Sequence, residues 1–82
     1  MDSAVPLVML GPGEEGTIVE CQGGHGFVSR LVAMGFTPGS RIAVLSNYGR
    51  GPLLVRVHGA RVALGRGEAA KILVRPEVGP NA

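Results

Sequence analysis

Three side chains that can ligate a transition metal stand out in this sequence. Cys21 and His25 lie four residues apart, and His58 follows much later in the chain. Thiolate and imidazole both suit divalent transition metals, but a selective site needs about four ligands held in a fixed geometry. We therefore expect at most weak divalent metal binding at these three residues, and no resident cofactor. The alternative for Cys21 is a small buried hydrophobic residue.

The residues that catalysis would require are few. The two histidines fall on different predicted elements with no aspartate nearby to orient either ring, and Ser29, Ser40 and Ser46 lack a G-x-S-x-G context. The glycine-rich residues 23–26 resemble a phosphate-binding loop only loosely, because no G-x-x-x-x-G-K-[ST] is present and G-x-G-x-x-G fails at Ser29. The sequence predicts a protein that is not an enzyme.

Short strands joined by tight turns must position these side chains, because the chain contains 14 glycines and 6 prolines. Between the first two predicted strands, Phe27, Leu31 and Met34 recur at helical spacing. They predict a core-facing helix over residues 25–34, which Gly35 ends. Residues 65–71 indicate a turn or one helical turn. Alternating or β-branched stretches predict strands at residues 17–21, 41–46, 53–58, 61–64 and 72–74.

These elements predict the fold class. Five short antiparallel strands can bury one core only by curling into a sandwich or a partly open barrel. We therefore predict an all-β small β-barrel of about five strands with one short inserted α-helix. The domain is predicted to span residues 1–75, and residues 76–82 to form a flexible C-terminal tail.

Two pairs of residues are predicted to face outward from the barrel. In the alternating stretch that starts at Leu53, Leu54 and Arg56 lie on the outer face, and Leu73 and Arg75 do so on the last strand. A single exposed leucine needs no explanation, but two beside arginines can form one patch that binds a partner. Such a partner would dock by strand addition or as a peptide.

Composition restricts the other function classes. The net charge of +2 is spread without a basic run, and Phe27, Phe36 and Tyr48 are the only aromatic residues, so nucleic-acid binding is not expected. No apolar stretch approaches the ~20 residues that cross a bilayer, so direct membrane insertion is not expected. The single cysteine and the absence of a signal sequence favour a cytoplasmic location. Small size and apolar surface leave a homodimer open.

The order of elements resembles the FeoA family over nearly the whole chain. Residues 6–19 and 62–74 carry two matching segments, P-L…L-x-P-G-E…G-x-I-V and V-A-L…E-A…I-x-V. The most specific match is R-L-x-x-M-G-F-x-P-G, formed by Arg30, Leu31, Met34, Gly35, Phe36, Pro38 and Gly39. The resemblance implies an SH3-like barrel with an inserted helix.

The resemblance also implies a function. It implies a non-enzymatic cytosolic accessory protein of bacterial ferrous iron transport that binds and modulates FeoB, a membrane permease with a GTPase domain. Two alternatives remain open from the sequence. One is a metal-responsive regulator or metal-binding adaptor, and the other is a generic peptide-binding SH3-like adaptor.

Overall fold

The computed structural model describes residues 4–77, and these contain six strands and three short helices. A 3₁₀ helix, Leu7–Met9, follows the first strand; α1 (His25–Ala33) connects β2 to β3, and α2 (Arg66–Ala69) connects β5 to β6. The strands are β1 (Val5–Pro6), β2 (Glu15–Cys21), β3 (Arg41–Ser46), β4 (Leu53–Val57), β5 (Ala60–Leu64) and β6 (Ile72–Pro76).

The strands form one antiparallel sheet in the order β1-β6-β2-β3-β4-β5. Alternation determines which side chains enter the core: in β4, Leu53, Val55 and Val57 are buried, whereas Leu54 and Arg56 are not. A single sheet encloses a core only by curling, so the predicted all-β small barrel with one inserted helix is confirmed. The buried core comprises Leu7, Leu10, Ile18, Leu31, Phe36, Ile42, Val44, Leu53, Val55, Val57, Leu64, Ala69, Ile72 and Val74.

Both ends of the sheet extend beyond the predicted strands. Val5 and Pro6 pair with Val74 and Leu73, which adds a two-residue strand that the sequence pattern did not predict. At the other end, β6 continues to Pro76, and the backbone N–H of Glu77 donates to the Glu15 carbonyl at 2.8 Å. The first two residues of the predicted tail therefore continue the sheet, and residues 78–82 lie outside the described residues.

The C-terminus of α1 differs from the prediction at one residue. The helix ends at Ala33, and Met34 caps it with 42% of its surface exposed, so the prediction that Met34 faces the core is wrong. Gly35 follows at φ 101°, and Gly35 N–H and Phe36 N–H donate to the Val32 and Leu31 carbonyls. This is a Schellman motif, and it turns Phe36 into the core in place of Met34.

Neither that helix nor any other within residues 4–77 is long and apolar enough to cross a membrane.

Candidate functional site

Residues 30–39, which carry the R-L-x-x-M-G-F-x-P-G pattern and are called the motif segment below, contact the rest of the domain through two buried side chains, one ion pair and backbone hydrogen bonds. Leu31 and Phe36 are buried, and Arg30 forms an ion pair with Glu68 at 3.7 Å. At the end of the segment, Gly39 N–H donates to the Ile18 carbonyl at 2.8 Å. The segment therefore joins α1 to β2 and positions the start of β3.

Cys21, His25 and His58 belong to three different elements: β2, α1 and the turn between β4 and β5. Cys21 ends β2, where its thiol donates to the Phe36 carbonyl at 3.4 Å, and His25 begins α1. Burial, and to a lesser extent the Glu20 carboxylate, raises the pKa of the Cys21 thiol, which disfavours the metal-binding thiolate. Within residues 4–77, no group of three or more His, Cys, Asp or Glu side chains is arranged to hold a metal ion.

His58 belongs to the turn of the β4–β5 hairpin and contacts the motif segment. His58 and Gly59 both have positive φ, 51° and 77°, as in a two-residue turn of the type that matches strand twist. The imidazole Nε2 lies 3.1 Å from Ser40 Oγ, and a Cβ added to Gly35 would lie 2.9 Å from the ring carbon Cδ2. His58 thus packs the hairpin against the turn after α1.

The two predicted partner-binding pairs face outward but lie apart. Leu54 pairs with Ser46 and Ala63 on the neighbouring strands. In the sheet order, β2 and β3 lie between β4 and β6, so Leu54 and Arg56 are not cross-strand neighbours of Leu73 and Arg75. The two pairs therefore lie on strands that are not neighbours in the sheet, and their binding of a partner stays a prediction.

One of these surfaces contains an apolar groove, called the Leu54 groove. It has a volume of about 380 Å³ and is open to solvent along the outer face of β4 and β5. Tyr48, which is 82% exposed, stands at its side. The groove is lined by Ser46, Tyr48, Arg50, Pro52, Leu53, Leu54 and Ala63.

Basic side chains lie at this groove and on the neighbouring positions of β4 and β5. Residues 21–67 contain no aspartate or glutamate, yet they include every arginine except Arg75. Arg56 and Arg61 lie directly opposite each other on β4 and β5, and Arg50 lines the groove. Within the described part of the chain, the ion pairs involve only Arg30 and Arg41. Arg50, Arg56 and Arg61 are therefore unneutralised by residues 4–77, and together they are called the arginine face.

Arg41 lines a surface pocket together with Arg56, but unlike the arginine face it has acidic partners. Its Nη2 donates to Glu15 Oε1 at 2.9 Å and also to Glu77, which ties β3 to β2 and to the residue after β6. The hydrogen bond to Glu15 and the charge of Glu77 raise the pKa of the Arg41 guanidinium. All three side chains are exposed, so solvent screening keeps the contribution to stability small.

The fold is that of a small β-barrel domain with an inserted helix. The FeoA domain family matches residues 5–76, and the chain belongs to that family. A Methanocaldococcus jannaschii protein, provisionally named Fe(2+) transport protein A, is 39% identical over 69 residues, which cover 84% of this chain and 83% of that protein.

Solved structures agree with this assignment. The crystal structure of an iron uptake regulatory protein, FeoA, superposes with a TM-score of 0.86 at 43% identity, covering 92% of this chain and all of the other. The zinc complex of FeoA from Stenotrophomonas maltophilia, described as a prokaryotic SH3 domain protein, gives a TM-score of 0.76 at 28% identity, covering 87% of this chain and 93% of that one. The predicted membership in the FeoA family and the predicted SH3-like fold are confirmed.

Most of the groove was not predictable from the sequence. Tyr48 and Pro52 lie between two predicted strands and Ala63 lies within another, and a groove between a loop and an edge strand depends on the pairing of distant residues. The excess of positive charge was predictable, since the sequence shows directly that residues 21–67 contain no aspartate or glutamate.

Proposed function

We propose that this protein is a non-enzymatic cytosolic accessory protein of ferrous iron uptake that binds a FeoB-type permease and modulates its activity. The observation that carries the proposal is the match to the FeoA domain family across residues 5–76, together with 39% identity to a protein named for Fe(2+) transport. A role as a ferrous iron transport activating factor has been suggested for the Stenotrophomonas maltophilia relative, which supports the same reading.

The surface chemistry supports binding to a protein partner. The Leu54 groove offers apolar area, and Arg56 and Arg61 offer charge beside it. Protein interfaces commonly combine a desolvated apolar centre with arginine at or near it. Iron enters this proposal as the cargo of the permease, because the described residues group no metal ligands.

Calorimetric titration of the purified chain into the cytosolic domain of the FeoB-type permease tests the proposal. The titration is repeated with guanine nucleotide and with ferrous iron, each alone and together. We expect saturable binding whose affinity differs between nucleotide states, because modulation of a GTPase cycle requires differential affinity for its states. The GTP hydrolysis rate of the permease domain, measured with and without the chain, then gives the direction of the effect.

Absence of binding in every condition would contradict the proposal. Tight binding of ferrous iron by the chain alone would instead favour the metal-binding adaptor, and iron-dependent binding to the permease would favour the metal-responsive regulator. The control is the reverse titration, in which the permease domain is injected from the syringe into the chain, so that heats of dilution are not taken for binding.

A further inference from the structure

The outer edge of β5 is open within the described residues. β5 pairs only with β4 and stands at the end of the strand order. No backbone hydrogen bond outside that ladder involves residues 60–64. An edge strand presents a row of N–H and C=O groups that another extended chain can pair with.

The side chains beside this edge define what the added chain would carry. Ala63 pairs with Leu54, so a residue opposite Ala63 on an added strand would lie over the Leu54 groove. Arg61 pairs with Arg56, so a residue opposite Arg61 would meet two arginines that lack an ion-pair partner among residues 4–77. An apolar side chain fits the first position and a carboxylate fits the second.

A second copy of this chain fits the edge less well. It would bring another β5 with its own Arg61 to a surface that is already basic, and like charges across strands are unfavourable. An acidic segment instead supplies a carboxylate to Arg61, whose cross-strand neighbour is another arginine and which forms no ion pair with any of residues 4–77. Charge complementarity therefore selects an acidic partner segment.

We propose that an extended acidic peptide segment adds to β5 as an antiparallel strand. The antiparallel direction follows the other ladders of this sheet and the slightly greater stability of such pairs. Because β5 runs from Arg61 to Ala63, the added strand reads apolar-x-acidic from its N-terminus. The apolar side chain enters the Leu54 groove, and the acidic side chain lies between Arg61 and solvent, within reach of Arg56.

This binding mode deepens the proposed function. It rests on the proposed function only for the identity of the protein that supplies the acidic segment. Peptides test it without the permease. If the peptides bind as described and the permease domain does not, the binding mode stands and the proposed partner fails. If the permease domain binds and the peptides do not, the proposed function stands and this mode of docking fails.

The experiment measures fluorescence anisotropy of labelled ten-residue peptides. The test peptide carries Leu-Thr-Glu at its centre between threonine and valine residues, and the controls carry Glu-Thr-Leu or Leu-Thr-Lys in the same frame. We expect Leu-Thr-Glu to bind about fivefold to tenfold more tightly than either control, given the energies of cross-strand charge pairs. Equal binding of Leu-Thr-Glu and Glu-Thr-Leu would overturn the stated direction and register.

Two further arms separate strand addition from charge attraction alone. N-methylation of one alternate set of peptide amides should abolish binding, and methylation of the other set should not, because only one edge of the peptide faces β5. Arg61→Glu should weaken the Leu-Thr-Glu peptide and strengthen the Leu-Thr-Lys peptide. Equal effects of both methylation patterns, or no exchange of preference in Arg61→Glu, would overturn the proposal, as would a homodimer in sedimentation that competes with the peptide.

Discussion

The motif segment and the arginine face differ in what their side chains contact. In the motif segment, Leu31 and Phe36 are buried, and backbone hydrogen bonds close the turn around Gly35. On the arginine face, Arg50, Arg56 and Arg61 make no ion pair with another described residue and border an open apolar groove. The first region holds the fold, and the second is the surface to which we assign partner binding.

In this small barrel, the residues that identify the family and the residues that border the groove lie in different places. The residues that identify the family most clearly lie in the turn that places α1 against the sheet. The residues that we propose for recognition lie on β4, β5 and the loop before β4, where strand alternation predicted Leu54 and Arg56 but no motif marked the rest. Substitutions in the motif segment should therefore change stability, and substitutions on the arginine face should change binding.

The largest effect is expected at Phe36, which is fully buried. Phe36→Ala should lower the free energy of unfolding by about 3–5 kcal/mol, because it opens a cavity in the core. Met34→Ala is the matched control in the same segment, and it should change stability by less than about 0.5 kcal/mol because Met34 is exposed. Urea denaturation measures both, and similar costs would contradict the assignment of Phe36 rather than Met34 to the core.

The next effect concerns two glycines with positive φ, Gly35 at 101° and Gly39 at 92°. Gly39→Ala should cost about 1–2 kcal/mol for the left-handed backbone alone. Gly35→Ala should cost more, since its Cβ would also lie 2.9 Å from the His58 ring, whereas nothing lies within 4 Å at Gly39. Adding His58→Ala should remove the excess, and thermal unfolding of the double variant checks this. An excess that persists without the histidine would contradict the contact.

A smaller effect concerns Cys21, whose thiol donates to the Phe36 carbonyl. Its pKa is raised in the folded state by burial and by Glu20, so the folded state holds this proton more tightly than the unfolded state. The resulting stability is present below the ordinary thiol pKa and is lost as pH rises through the folded-state value. The free energy of unfolding, measured from neutral to alkaline pH, should fall more steeply in the wild type than in Cys21→Ala. Parallel curves for the two proteins would refute this.

The smallest effect should have the opposite sign. Arg61→Glu replaces a like-charge pair with Arg56 by an opposite-charge pair, so it should raise the free energy of unfolding by a few tenths of a kcal/mol. The gain should shrink at high salt, because exposed charges are screened. Thermal unfolding at two salt concentrations checks it, with Arg61→Ala as the intermediate control. Clear destabilisation by Arg61→Glu would show that Arg61 supports the fold.

The sequence predicted local features better than long-range ones. Alternation in residues 53–57 correctly separated the buried valines from Leu54 and Arg56, and Gly35 correctly ended the helix. Strand order was not predictable in the same way, because it depends on pairing between residues far apart in the sequence, such as those of β2 and β6. This pairing places β2 and β3 between the strands of Leu73 and Leu54 in the sheet order. The two-residue β1 was too short to show a period.

The most direct test compares the two outward surfaces by calorimetric titration with the cytosolic domain of the FeoB-type permease. One variant combines Leu54→Ala with Arg56→Glu, and its matched control combines Leu73→Ala with Arg75→Glu on β6. We predict that the first loses at least about tenfold in affinity while both stay folded, and that the control binds like the wild type. Loss of binding in the control alone would contradict the assignment of recognition to the arginine face.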